Sequence, residues 1–308
     1  MQHKVTVVGA GNVGATLAQR IAETDLADVV MIDVAADLAA GKALDMMEAA
    51  PVVGFNASIS GGGDYAMTAG SDVCVITAGL ARKPGMSRDD LLMKNTEIVK
   101  GVTEQLVAHS PNTILILVTN PLDAMCEVAR RASGFPRERV IGMAGVLDAA
   151  RMRYFIASEL GVSVTDVDGF VLGGHGDTMV PMPRFATVNA IPLPQLLAQD
   201  RIDAINERTK NGGIEIVNYY KTGSAYYAPS ASSWEMVAAI LQDKKKILPC
   251  AALLQGEYKL DGLFVGVPVR LGRGGLEKII ELELTASEQA ELEKSAAAVR
   301  ELVDKLPA

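Results

Sequence analysis

Short apolar runs alternate with longer amphipathic stretches through the first half of the chain. Residues 4–8, 29–32, 72–77 and 113–118 are nearly continuous runs rich in Val, Ile and Leu, which is typical of strands buried on both faces of a parallel sheet. Between them, residues 12–23, 37–50 and 89–109 carry apolar residues at helical spacing. This alternation of strand and helix predicts an α/β fold with a doubly wound parallel sheet.

The pattern changes in the second half of the chain. It predicts a short strand at residues 170–172, helices near residues 200–220 and 230–241, strands at residues 247–254 and 263–269, and a closing amphipathic helix at residues 287–306. Because the parallel alternation stops near Met143, we predict two domains. Residues 1–143 would hold the parallel sheet, and residues 144–308 would form an α+β domain.

Composition narrows the class of protein. The 308 residues carry a formal net charge of −8, and an acidic chain repels a phosphate backbone, so we expect no nucleic-acid partner. Hydrophobic residues make up 49% of the chain, which excludes a disordered protein. No run approaches the ~20 apolar residues of a membrane span, and we expect a cytoplasmic protein without membrane contact. Three widely spaced cysteines predict neither a disulfide framework nor a metal site.

A glycine-rich turn lies between the first predicted strand and the first predicted helix. Gly9, Gly11 and Gly14 form a Gly-x-Gly-x-x-Gly motif there, which permits a tight turn and lets a pyrophosphate approach the helix N-terminus. Taken alone, the motif is equally compatible with an ordinary tight turn between strand and helix. Its context favours a Rossmann-type dinucleotide site, because Asp33 ends the second strand. A carboxylate there accepts from a ribose diol and repels a 2′-phosphate, which favours NAD over NADP.

Small residues end the next two predicted strands. The segments Thr77-Ala78-Gly79 and Thr119-Asn120-Pro121 follow these strands directly. The carboxyl ends of strands line the ligand crevice of an open α/β sheet. We therefore expect both segments to contact the cofactor.

One histidine lies in a glycine-rich loop after a predicted strand. Glycines flank His175, and they would immobilise a packing residue poorly while allowing a ligand to approach closely. We therefore favour proton transfer over packing for His175, and we expect His3 and His109 to be bystanders. Such a histidine needs a carboxylate to fix its tautomer. Asp148 is a candidate, and its spacing puts it on one helix face with Arg151, although a local surface ion pair would show the same spacing.

A basic loop follows the strand that ends at Thr77. Arg82 and Arg88 lie in this loop on either side of a Pro-Gly break. The loop is either an ordinary solvated segment or a lid that brings cations to a ligand on closing. Guanidinium groups suit carboxylates, because their fork pairs with two oxygens at once.

Together these motifs resemble the lactate/malate dehydrogenase superfamily in order and spacing, over nearly the whole chain. They are most similar to the bacterial malate dehydrogenases of the lactate-dehydrogenase-like branch. The segments that carry the resemblance are residues 9–14, 33, 77–79, 82–88, 119–121, 147–151, 173–177 and 265–269. The resemblance implies NAD as cofactor, the small dicarboxylates malate and oxaloacetate as substrates, and a homodimer or homotetramer.

The resemblance also implies a role for each matched residue. His175 is expected to be the acid/base, Asp148 its orienting partner and Arg151 the ligand of the C1 carboxylate. Arg88 is expected to polarise the ketone, and Asn120 to hydrogen-bond the reacting oxygen. The expected cofactor contacts are Gly9, Gly11, Asn12, Val13, Gly14, Asp33, Thr77, Ala78, Gly79, Asn95, Val118 and Asn120.

Arg82 falls at the position that selects the substrate. Oxaloacetate offers this guanidinium a second carboxylate, whereas pyruvate offers a methyl group and leaves it unpaired. Arg82 thus argues against the first alternative, a dehydrogenase of another 2-hydroxy acid such as lactate. A non-catalytic NAD-binding protein would not need the four residues His175, Asp148, Arg151 and Arg88 together. A methyltransferase with the same nucleotide crevice would not explain the arginines.

Overall fold

Strands and helices alternate through the first half of the chain, as the hydrophobic pattern predicts. The computed structural model describes residues 3–80 and 87–307, with the backbone alone described for Arg88. The strands are β1 (Lys4–Val8), β2 (Asp28–Ile32), β3 (Ile59–Gly62), β4 (Val73–Ile76), β5 (Ile114–Leu117) and β6 (Val140–Gly142). The helices are α1 (Asn12–Glu23), α2 (Ala36–Val53), α3 (Arg88–His109), α4 (Leu122–Ser133) and α5 (Gly145–Leu160).

These strands form a parallel sheet in the order β3-β2-β1-β4-β5-β6. Every residue of β4 and β5 is buried, which explains their continuous apolar sequences. The strand order reverses between β1 and β4, and in such a sheet the ligand crevice opens at the carboxyl ends of the strands on either side of the reversal. The predicted doubly wound Rossmann sheet is therefore confirmed.

The predicted elements do not include β3, β6 or α4. In β3 only Ile59 is buried and two of the remaining residues are glycines, so the strand has almost no apolar signal. β6 has three residues, which is too short for a periodicity to emerge. Helix α4 is strongly amphipathic, and this pattern in the sequence is a helical signal that the prediction did not use.

The second half adds small sheets and an antiparallel extension of the main sheet. Its strands are β7 (Val167–Asp168), β8 (Val171–Leu172), β9 (Val180–Pro181), β10 (Thr187–Val188), β11 (Ile191–Pro192), β12 (Lys246–Gln255), β13 (Asp261–Gly272) and β14 (Gly275–Ile279). Its helices are α6 (Gln199–Tyr220), α7 (Tyr227–Leu241) and α8 (Ala286–Val303). Because β12 pairs with β6, a single nine-stranded sheet crosses the boundary predicted near Met143. The α+β arrangement is confirmed, whereas the domain boundary stays a prediction.

Helices cover the sheet and complete an aliphatic, alanine-rich core. Helices from both halves pack on the extension of the sheet: α4 and α8 pack against β13 and against each other, while α5 packs against both β12 and α6. Within residues 3–80 and 87–307, no helix is long and apolar enough to cross a membrane.

A backbone bridge ties the loop after β8 to the main sheet. The Gly173 N–H donates to the Gly266 carbonyl at 2.9 Å, and the Gly266 N–H donates back to the Gly173 carbonyl at 3.0 Å. A Cβ atom on Gly266 would lie 2.5 Å from the Gly173 carbonyl oxygen, a distance that real Cβ atoms do not reach. Strand β13 therefore holds this loop at a separation that only glycine allows.

We expect Gly266→Ala to lower the free energy of unfolding by about 1–3 kcal/mol, because two backbones must separate to accept the methyl group. Gly274→Ala is the matched control, since a Cβ there would meet nothing within 4 Å. That variant should stay within about 0.5 kcal/mol of the parent chain. Urea unfolding midpoints measure both, and equal stabilities of the two variants would contradict the close approach.

Candidate active site

The glycine turn between β1 and α1 contains two glycines that the fold requires, Gly9 and Gly14, and one that it does not, Gly11. A Cβ on Gly14 would lie 1.8 Å from the Gly9 carbonyl oxygen, so a side chain at this position would break the turn. A Cβ on Gly11 would meet nothing within 4 Å. Gly11 is also the N-cap of α1, and no side chain caps its free N–H groups. The open space at Gly11 faces a helix N-terminus, which is where an anionic group binds.

Two charged side chains hold the peptide units of this turn in place. The Asp33 carboxylate accepts from the Ala10 N–H at 2.7 Å, and the Lys42 ammonium of α2 donates to the Ala10 carbonyl at 2.7 Å. Asp33 therefore lies at the carboxyl end of β2, beside the glycine turn, as the sequence predicts. Lys42 was not predicted, because its partner lies 32 residues away and nothing local marks it.

Hydroxyl groups join the end of β4 to the ends of its two neighbours, β1 and β5. Thr77 donates its hydroxyl to the Val8 carbonyl at 3.0 Å, and Thr119 donates to the Ala78 carbonyl at 2.6 Å. A Cβ on Gly79 would lie 2.4 Å from the Thr119 methyl carbon, so the loop after β4 packs closely on the end of β5.

Asn95 of α3 lies beneath these two strand ends. Its side chain is buried, with its amide oxygen accepting from the Leu80 N–H at 2.8 Å and its amide nitrogen donating to the Asn120 carbonyl at 2.6 Å. It therefore fixes the backbone of both crevice loops. The side chain of Asn120 is exposed at the end of β5, and that of Val118 is half-buried. Asn12 and Val13, in the first turn of α1, are exposed and half-buried respectively.

His175, Asp148 and Arg151 form one cluster. The His175 Nδ1 lies 2.8 Å from one oxygen of Asp148, and an Arg151 guanidinium nitrogen donates to the other oxygen at 3.2 Å. The Asp148 side chain is 2% exposed, whereas those of His175 and Arg151 are each 15% exposed. The i,i+3 pair on α5 is therefore not a surface ion pair, because Asp148 is buried and shared with a histidine 27 residues away.

The cluster favours the protonated form of His175. Burial of the imidazole opposes its protonation, but the charge of Asp148 and its hydrogen bond outweigh burial, with a smaller contribution from Asp123. The pKa of His175 is therefore raised above the usual 6.5. With Nδ1 facing Asp148, Nε2 is the ring nitrogen left for exchanging a proton with a ligand.

Helix α6 shapes the place where Arg151 lies. A Cβ on Gly212 would lie 2.9 Å from the Cδ atom of Arg151, so the arginine side chain passes over a helix position without a side chain. Gly212 and Gly213 inside a helix each cost about 1 kcal/mol relative to alanine. This pair of glycines within a helical pattern was a signal in the sequence that the prediction did not use.

The remaining predicted substrate residues belong to the loop before α3. Arg82 lies outside the described residues. Arg88 is the first residue of α3, after a capping box in which the Ser87 hydroxyl accepts from the Asp90 N–H at 3.0 Å. The structure thus gives the backbone position of Arg88 at a helix start, and its predicted role stays a prediction.

The cysteines lie apart from this site. Cys74, Cys126 and Cys250 are buried and form no disulfide. Burial raises the pKa of the Cys74 thiol to about 11. In the part of the chain that the structure describes, no three His, Cys, Asp or Glu residues are grouped so that they could hold a metal ion.

Comparison with known proteins identifies the family. The family models "lactate/malate dehydrogenase, NAD binding domain" and "lactate/malate dehydrogenase, alpha/beta C-terminal domain" match residues 3–142 and 145–308. The chain is 60% identical to a malate dehydrogenase of Chloroherpeton thalassium over 304 residues, which cover 98% of each chain. It is similar to the solved malate dehydrogenase of Salinibacter ruber, with 57% identity, a TM-score of 0.94, and coverage of 98% of this chain and 97% of that one.

A lactate dehydrogenase is also similar in structure. The Cryptosporidium parvum enzyme, solved with lactic acid and NAD, is 39% identical with a TM-score of 0.95, and 99% of each chain is covered. The shared fold therefore does not distinguish the two substrates. These matches confirm NAD as the cofactor, and the chain belongs to the lactate/malate dehydrogenase family of NAD-dependent oxidoreductases.

Proposed function

We propose that this chain catalyses the reversible transfer of a hydride between (S)-malate and NAD, giving oxaloacetate and NADH. The observation that carries the proposal is the cluster in which Asp148 accepts from both His175 and Arg151. An imidazole and a guanidinium lie on the two oxygens of one buried anion, which supports their proposed roles as proton carrier and carboxylate-binding cation.

The residues at the glycine turn fit NAD. The open space at Gly11 admits a pyrophosphate against the N-terminus of α1. Asp33 suits a ribose diol and disfavours a 2′-phosphate. When bound, the nicotinamide ring supplies the hydride acceptor or donor. The proposed contacts from the next strand ends are Thr77, Ala78, Gly79, Val118 and Asn120, while Asn95 supports them from below.

The chain's own residues move the proton and hold the substrate. His175 takes the hydroxyl proton of malate at Nε2, and Asp148 stabilises the resulting imidazolium. Arg151 pairs with the C1 carboxylate, Asn120 donates to the reacting oxygen, and Arg88 polarises the ketone in the reverse direction.

Arg82 decides between malate and lactate in this proposal. A dicarboxylate supplies it with a partner, whereas the methyl group of pyruvate leaves it unpaired.

We further propose a cytoplasmic homodimer or homotetramer. Exposed apolar side chains on α2, among them Leu44 at 62% and Val52 at 88%, support an additional packing surface.

We expect Gly11→Ala to weaken NADH binding by about tenfold or more, because its methyl group occupies the space left for the pyrophosphate. Its stability without cofactor should stay within about 0.5 kcal/mol of the parent. Gly14→Ala is the contrasting variant, and it should unfold at lower urea concentration because its methyl group meets the Gly9 carbonyl. Fluorescence titration with NADH and urea unfolding separate the two effects. Unchanged NADH affinity in Gly11→Ala would contradict the cofactor placement.

The pH dependence should follow the raised pKa of His175. Oxaloacetate reduction needs protonated His175, so its kcat/KM should be level at low pH and fall as pH rises through this pKa, above 6.5. Malate oxidation needs neutral His175 and should show the opposite dependence. Asp148→Asn removes the main partner, and we expect both limbs to move to lower pH while kcat falls roughly 10²–10⁴-fold. Asp168 is exposed, so Asp168→Asn is the control variant, and its pH profile should match that of the parent chain. If the limbs of the kcat/KM profile kept their pH values in Asp148→Asn, the pairing of Asp148 with His175 would be refuted.

The assay that tests the proposed function is NADH oxidation with oxaloacetate, with pyruvate, or with neither. We expect Arg82→Gln to shift the ratio of kcat/KM for oxaloacetate over pyruvate by about 2–5 kcal/mol, which is roughly 30- to several-thousand-fold. Lys83→Gln removes one positive charge from the same segment and should leave the ratio within about twofold. An unchanged ratio in Arg82→Gln would show that another residue selects the substrate, and no turnover of either keto acid by the parent chain would exclude the dehydrogenase.

A further inference from the structure

Two buried side chains from different helices hold consecutive amides of the loop that carries His175. The Gly174 N–H donates to the Ser295 hydroxyl of α8 at 2.8 Å, and the His175 N–H donates to a carboxylate oxygen of Asp123 in α4 at 2.9 Å. Ser295 is 1% exposed and Asp123 is 5% exposed. The histidine backbone is thus held by side chains that lie 52 and 121 residues away in the sequence.

The hydrogen bond from His175 to Asp123 requires burial of a carboxylate, which has a high desolvation cost. Its second oxygen, Oδ1, is buried and has no hydrogen-bond partner among the described residues. Burying a carboxylate with an unpaired oxygen costs several kcal/mol more than burying a neutral acceptor. Ser295 shows that a neutral hydroxyl can hold the adjacent amide. A neutral acceptor would therefore be enough to hold the His175 amide, and we infer that the negative charge of Asp123 has a separate role.

The charge of Asp123 acts on the imidazole of His175. Among the described residues, the charged groups that act on His175 are Asp148 and Arg151 from α5 and Asp123 from α4, while α8 contributes the uncharged Ser295. Burial raises the pKa of Asp123 to about 6, although its bond to the His175 amide and the histidine's charge oppose the rise. Asp123 is therefore mainly ionised at the pH values above 6.5 at which His175 titrates.

We propose that Asp123 is a positioning residue that fixes the backbone of His175 and, as a second carboxylate behind Asp148, stabilises its imidazolium form. Ser295 fixes the neighbouring amide without a charge. In malate oxidation His175 becomes positively charged, and Asp123 then stabilises that product state of the proton transfer through space. The effect of Asp123 on catalysis rests on the acid–base role of His175 given above.

The test compares Asp123→Asn with Ser295→Ala in the full-length chain. The asparagine keeps an acceptor for the His175 N–H and removes the charge, whereas the alanine removes a neutral acceptor. NMR titration of ¹³C-labelled histidines reports His175 directly, because the chain has three histidines and the His175→Gln spectrum identifies the signal. We expect the pKa of His175 to fall by about 0.5–1 unit in Asp123→Asn, less than the 1–3 units of a direct ion pair, and to stay unchanged in Ser295→Ala.

Kinetics supply the second readout. In Asp123→Asn the limbs of the kcat/KM profile should move to lower pH by the same 0.5–1 unit, whereas Ser295→Ala should lower kcat several-fold with its limbs in place. An unchanged His175 titration in Asp123→Asn, or an equal shift in both variants, overturns the proposal. The NMR titration of His175 needs no turnover. If the parent chain were inactive on oxaloacetate, the proposed function would be contradicted, but the titration would still show whether Asp123 affects His175.

The parent chain offers a measurement that is independent of any variant. As pH falls through about 6, Asp123 takes up its proton, and the chemical shift of His175 should show a second, smaller inflection there. A His175 signal with no second inflection at any pH down to the range of an ordinary aspartate, about 4, would overturn the proposal even if Asp123→Asn failed to fold.

Discussion

The active site depends on one buried anion with two cationic partners. A carboxylate as buried as Asp148 is destabilising unless it is paired, and losing either partner leaves an uncompensated charge. Asp148 is paired with His175 on one oxygen and Arg151 on the other. The same electrostatic requirement therefore fixes the tautomer of the histidine and the direction of the arginine. Because Asp148 and Arg151 share α5, the helix sets the separation between the imidazole and the guanidinium that both pair with Asp148.

The sheet brings this cluster and the glycine turn into one framework. The parallel strands end at the crevice where the glycine turn, Asp33 and the Thr77 segment meet. The antiparallel extension continues the same sheet and holds the histidine loop through the bridge between Gly173 and Gly266. The cofactor turn and the histidine loop are thus both attached to one rigid sheet by backbone contacts that leave no room for side chains. Such rigid attachment is what a hydride transfer between two bound molecules needs.

Local features of the site could be predicted from the sequence, and distant contacts could not. The glycine turn and the spacing of Asp148 and Arg151 are local patterns, and the structure places them as the spacing implies. Whether that pair lay on the surface or in a site depended on the contact between Asp148 and His175. Hydrophobic periodicity cannot predict this contact, because the two residues are 27 apart in the sequence. Asp123, Ser295 and Lys42 were missed for the same reason, since each contacts a backbone group from a distant element. Strand β3 was missed because two glycines replace the apolar residues that mark a strand.

The balance of charge at the site explains how an acidic chain accommodates an anionic substrate. When His175 is protonated, its charge and that of Arg151 equal those of Asp148 and Asp123, so the described cluster is neutral. A dicarboxylate then adds two negative charges, and in the proposed reaction Arg82 and Arg88 supply two positive ones. In that reaction, a monocarboxylate would leave one of those guanidinium charges unbalanced. In the proposed reaction, selectivity for a dicarboxylate thus follows from the balance of charge among these few groups. The net charge of −8 of the whole chain neither predicts nor opposes this selectivity.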